Sequence, residues 1–138
     1  MTNYFTVGEL IKSDTAIKYG INNSPDALTL SRLKELIAKL LNPIREAWGS
    51  PILVSSGYRC KELNAKVGGA KTSAHLLGYA ADLIPKNGRI KEFIAFVQNF
   101  LRTKGISFDQ CIDEYGRWVH VGLKNGVGLQ RKQIFKIR

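Results

Sequence analysis

The run Tyr79-Ala80-Ala81-Asp82-Leu83-Ile84 carries one carboxylate in an otherwise apolar strand, and that acid constrains the fold more than any other residue. An ionised group buried in a strand needs a cation or strong hydrogen bonds to offset its lost hydration. A second apolar run, Trp118-Val119-His120-Val121, buries a histidine in the same way. By strand alternation Val119, Val121 and Leu123 share the core face, while Trp118 and His120 face the other way, toward a cleft. The chain has 2 histidines, and the other, His75, stands just upstream of Asp82 in Ser73-Ala74-His75-Leu76-Leu77-Gly78. Two histidines and one aspartate make a typical donor set for a catalytic zinc whose fourth position stays open. Singly, each has a plainer reading. A strand histidine is more often hydrogen-bonded, and a strand aspartate is more often a cap or an ion pair. All three lie on or beside predicted sheet elements, which favours a shared site.

The surrounding pattern predicts an α+β fold. A short helix or turn is expected over 5–13 after a Thr6 cap, and a loop over 22–26. Leu30, Leu33, Leu36, Ile37, Leu40, Leu41, Ile44, Ala47 and Trp48 recur at spacings of 3 and 4, which marks an amphipathic helix. Pro43 should kink or restart it, and Gly49-Ser50-Pro51 should end it. Residues 52–55 read as a short buried strand, 60–67 as a helix, 68–72 as a loop and 79–84 as the strand of Asp82. A second amphipathic helix is expected over 90–104. Strands over 108–115 and 117–123 form a hairpin through Tyr115-Gly116, and 129–137 reads as a basic edge strand. Strands and helices mix without regular βαβ alternation, so the sheet should be small, mainly antiparallel and flanked by helices.

The length of 138 residues fits one domain spanning 1–138. No apolar run approaches the roughly 20 residues that span a bilayer. The N-terminus, Met1-Thr2-Asn3-Tyr4-Phe5-Thr6, lacks the basic-then-apolar pattern of a signal peptide, so synthesis in the cytoplasm is expected. The net charge is +10, which concentrates polyanions near the surface. Charge alone does not choose between nucleic acid, the anionic polymers of a cell wall and a merely solvated surface. No nucleic-acid-binding motif accompanies the Lys and Arg residues, so no specific nucleic acid is expected. A monomer is expected. Cys60 and Cys111 form no CxxC pair; they read as buried thiols, and whether they pair stays open.

Ser56-Gly57-Tyr58-Arg59, Leu63-Asn64, Val67-Gly68-Gly69, Ser73-Ala74-His75, Gly78-Tyr79-Ala80-Ala81-Asp82 and Trp118-Val119-His120-Val121 together resemble the M15 zinc peptidases in order and spacing. These are D-alanyl-D-alanine carboxypeptidases and related peptidoglycan endopeptidases. The likeness runs from about Leu30 to Leu123 and is closest to a short single-domain branch found in bacteriophages and prophages. It implies a hedgehog/DD-peptidase-like fold and a Zn²⁺ held by His75, Asp82 and His120. It implies that Arg59 contacts substrate, and that Ser73 bonds the substrate or supports a ligand. Arg59 also reads as a structural bridge between strand and loop, and Ser73 as a helix cap. The implied substrates are peptidoglycan peptides, with anionic wall polymers attracted by charge. The implied place of action is the bacterial cell wall or a phage particle, including a lysis role.

The resemblance also implies an acidic general base near the last ligand. In several members that acid stands two or three residues before the last histidine, where this chain has Trp118 and Arg117. In the short branch it lies earlier, and the resemblance implies Glu114 in the matching place, with its neighbour Asp113 as rival. Hairpin register separates them. A two-residue turn at Tyr115-Gly116 pairs Cys111 with His120 and puts Asp113 on the His120 face. A three-residue turn, Tyr115-Gly116-Arg117, pairs Ile112 with His120 and puts Glu114 there. Glu114 is the expected base. Cleavage as a carboxypeptidase or an endopeptidase stays open at this stage. So does a wall-binding module that keeps the metal without catalysis, although an acid at Glu114 or Asp113 argues against it.

Overall fold

The computed structural model describes residues 3–123 and 130–138. Thr6 opens α1 (Val7–Ile11) with a reciprocal capping box. Its side chain accepts from Glu9 N–H, and the Glu9 carboxylate accepts from Thr6 N–H. A further helix that the sequence pattern did not reveal, α2 (Asp14–Lys18), starts from a Ser13 cap. Asp26 caps α3 (Ala27–Leu36) by accepting from Thr29 N–H, so this helix begins before Leu30. The chain then continues through a π-helical turn, Ile37–Leu41, into α4 (Asn42–Trp48). Pro43 has no N–H to give the preceding turn, and Asn42 N–H reaches back to Ile37 O instead. The expected kink is thus absorbed as a wider turn. Gly49, at φ 78°, ends α4 in the left-handed conformation.

The sheet holds β1 (Ile52–Ser56), β2 (Ala80–Pro85), β3 (Gln110–Glu114), β4 (Trp118–Gly122) and β5 (Gln133–Ile137), in the order β1-β2-β4-β3-β5. Between them lie α5 (Lys61–Lys66) and α6 (Ile90–Thr103). All pairs are antiparallel except β3 with β5. The architecture is the expected α+β one, with a mainly antiparallel sheet. Of the expected edge strand, Leu129 lies outside the described residues, and the observed strand runs parallel to its neighbour.

One sheet face is the core. Ala81, Leu83, Cys111, Val119 and Val121 pack with Leu33, Leu36 and Leu40 from the α3 region and with Phe93, Val97 and Leu101 from α6. The cysteines are unpaired, and Cys111 lies in this core. The other face carries Asp82, His120, Ile112 and Phe135, which are direct neighbours across β2, β4, β3 and β5.

Candidate functional site

The site is built where β2 and β4 meet at the centre of the sheet. Asp82 and His120 are direct cross-strand partners, so their side chains rise side by side from one face. His75 arrives on a short 3₁₀ turn, Ala74–Leu77, capped by Ser73, whose hydroxyl accepts from His75 N–H at 3.2 Å. All three residues are buried.

Their donor atoms form a nearly equilateral triangle. His75 Nε2 lies 3.2 Å from His120 Nδ1 and 3.2 Å from Asp82 Oδ1, and His120 Nδ1 lies 3.1 Å from Asp82 Oδ1. Tetrahedral zinc with nitrogen bonds of 2.0–2.1 Å requires donor–donor edges of about 3.3–3.4 Å. The triangle matches one face of that tetrahedron to within a few tenths of an ångström. Proton chemistry points the same way. His75 Nδ1 sits 2.6 Å from the Gly57 carbonyl, which can only accept, so the proton belongs on Nδ1 and the Nε2 lone pair faces the triangle. Three electron-rich atoms in mutual contact fit a shared cation. Burial alone would raise the pKa of Asp82. Contacts with the His120 and His75 rings outweigh it and hold the carboxyl well below its ordinary range, so Asp82 faces the triangle as an anion.

Backbone packing sets the His75 ring. A Cβ at Gly57 would fall 2.2 Å from Leu10 O, so only glycine lets this strand end lie against α1 and aim its carbonyl at the imidazole. Tyr58 N–H seals the approach by donating to Leu10 O at 2.7 Å. A bulge between Val54 and Ser56 then brings Ser56 opposite Asp82.

Arg59 follows directly. Asn23 holds the chain on either side of it, donating to Tyr58 O and accepting from Cys60 N–H. Arg59 Nη2 donates to Ser73 Oγ at 3.3 Å, and its Nε is buried without a hydrogen-bond partner. Burial lowers the Arg59 pKa, while the charges of Asp82 and Glu114 oppose that shift. Arg59 and Asp82 line one cleft of about 770 Å³ together with Ser55, Ser56 and Trp118.

The hairpin turns over three residues. Ile112 pairs with His120 and Glu114 with Trp118, so Glu114 stands on the His120 face. Tyr115 and Gly116 take φ of 61° and 65°, and Arg117 N–H closes the turn on Glu114 O. Trp118 Nε1–H donates to Glu114 Oε1 at 2.8 Å. Asp113 is on the opposite face and accepts from Gly116 N–H, which makes it a cap of the turn.

A protein-family model described as Peptidase M15 matches residues 3–122. The chain belongs to the M15 peptidase family. No curated protein matches it. In this M15 peptidase the family match ends with β4 and leaves β5 beyond it. Among the described residues, no helix is long and apolar enough to cross a membrane.

Sequence reasoning named the triangle, Arg59, Ser73 and both acids of the hairpin. It missed three supports: the close approach at Gly57, the Asn23 staple and the Trp118 hydrogen bond to Glu114. Their only trace in the sequence is a glycine directly after a strand, an asparagine in a polar loop and a tryptophan one step from the last histidine on its face.

Proposed function

We propose that this M15 peptidase is a zinc enzyme that hydrolyses peptide bonds of bacterial peptidoglycan, in stem peptides or cross-bridges. The observation that carries the reading is the triangle of His75, Asp82 and His120, with edges of 3.1–3.2 Å, beside an acid on the same sheet face. A zinc bound by these three residues supplies Lewis acidity and makes water a usable nucleophile near neutral pH. Glu114 is the general base: it takes the proton of the attacking water and returns it to the departing amine. Trp118 fixes one Glu114 oxygen, Oε1, and so orients the other for proton transfer. Arg59 holds a substrate carboxylate or carbonyl, since its guanidinium is a cation that lines the cleft beside Asp82. Ser73 acts through Arg59 by accepting from Nη2. The net charge of +10 suits an anionic wall polymer as the surface on which the substrate is met.

Elemental analysis of protein purified without added metal should find about one zinc per chain. Mass spectrometry of muropeptides should show cleavage that a chelator abolishes. His120→Ala should lose both the zinc and the cleavage. Full zinc retention by that variant would remove the ligand assignment. Zinc without any muropeptide cleavage would remove the substrate.

A further inference from the structure

We propose that β5 is the specificity strand of this peptidase, with Phe135 and Ile137 forming an apolar shelf for an aliphatic substrate side chain about three residues from the cleaved bond. The inference rests on the peptidase reading above and adds which part of the substrate the chain selects.

A peptide bond at the triangle must have substrate leaving on both sides. The cleft lined by Arg59 lies toward β1 and accounts for one side. Toward the other side, the row that begins Asp82–His120 continues to Ile112 on β3 and Phe135 on β5. The adjacent row runs Trp118, Glu114, Ile137. Both rows therefore start at site residues and end on exposed apolar side chains, with Phe135 41% and Ile137 37% exposed. Adjacent strands lie 4.7–4.9 Å apart, so two steps from β4 to β5 cover about 10 Å, the reach of about three extended residues.

The chemistry of the shelf follows from the same register. On the site face β5 presents Gln133, Phe135 and Ile137, none of them charged, and Gln133 is engaged by Gln110 Nε2 at 3.2 Å. Lys136 pairs with Asp113 on the opposite face. The apolar side chains of Phe135 and Ile137 favour an aliphatic group over a carboxylate, and Glu114 beside Ile137 adds to that discrimination. The shelf is also held firmly. Arg131 forms a bidentate pair with the buried Asp109, at 3.0 and 2.7 Å, just before the strand. Gln133 N–H donates to Asp109 O at 2.9 Å. The family match stops at residue 122, so β5 lies outside the matched residues.

The zinc-loaded full chain should be assayed on a cross-linked muropeptide and on a dipeptide containing the same scissile bond, which is too short to reach β5. Phe135→Ala should raise KM for the muropeptide about tenfold, the loss of one well-packed aromatic contact, with kcat unchanged. Any dipeptide cleavage should be unaffected, and Phe135→Leu should restore most of the affinity. If Phe135→Ala folds poorly, Ile137→Ser should give a smaller effect of the same sign. An unchanged KM for the muropeptide in either folded variant overturns the shelf and leaves the peptidase reading standing. Equal losses on both substrates also overturn it, because the effect then reaches the site itself. A wild-type protein inert on both substrates overturns the peptidase reading, and the shelf with it.

Discussion

At Glu114 and Asp113 two adjacent acids sit on opposite faces of β3, and a single turn residue decides which of them shares a face with His120. With three residues in the turn it is Glu114. Glu114→Gln should keep its zinc and its fold while kcat drops about 10²–10⁴-fold, as expected for loss of a general base. Asp113→Asn should keep nearly full activity and lose only some thermal stability, since it removes a charged acceptor from a turn. A dead Asp113→Asn beside an active Glu114→Gln would reverse the roles. A second residue-scale expectation concerns Cys111. Burial pushes its thiol up to about 12, against a small opposing pull from Arg102, so the nucleophilic thiolate is scarce near neutral pH. Alkylation of the native protein, followed by peptide mass mapping, should leave Cys111 unlabelled until denaturant is added. The three donors were legible from sequence because a lone charge in an apolar strand needs an explanation. The turn length was not, because it depends on Tyr115 adopting a positive φ that its side chain does not announce.

Among the elements, those resting on local periodicity were the readable ones. Strand β2, helix α6 and the capped α5 appear close to where the apolar spacing puts them. Helix α2 was missed because its five residues contain too little apolar repeat to register. The parallel pairing of β5 with β3 was missed because register between strands is a long-range property that composition does not encode. Gly57 belongs to the same class: its sequence context reads as a turn, and only the fold shows Leu10 pressed against it. Gly57→Ala tests that contact. The added Cβ must push β1 away from α1 and carry the carbonyl off the His75 ring. Zinc affinity, measured by competition with a chelator, should fall 10–100-fold, the range seen when a partner that orients a metal-ligating histidine is lost. Far-UV circular dichroism of the zinc-loaded variant should stay close to wild type.

For the molecule as a whole, the +10 charge should act on encounter rather than on chemistry. Exposed charges are screened within about 8 Å at physiological salt. Cleavage of intact cell walls should therefore slow as salt rises from low to moderate strength, while cleavage of a small soluble muropeptide changes much less. Equal salt dependence for both substrates would place the effect at the site, with Arg59 as the first residue to test. The strand order carries a consequence of a different kind. In sequence β4 comes last of the three strands β2, β3 and β4, yet in the sheet it lies between the other two. A chain leaving the ribosome presents His75 and Asp82 well before His120 exists. The donor triangle is thus completed only when the β3–β4 hairpin slots into the middle of the sheet.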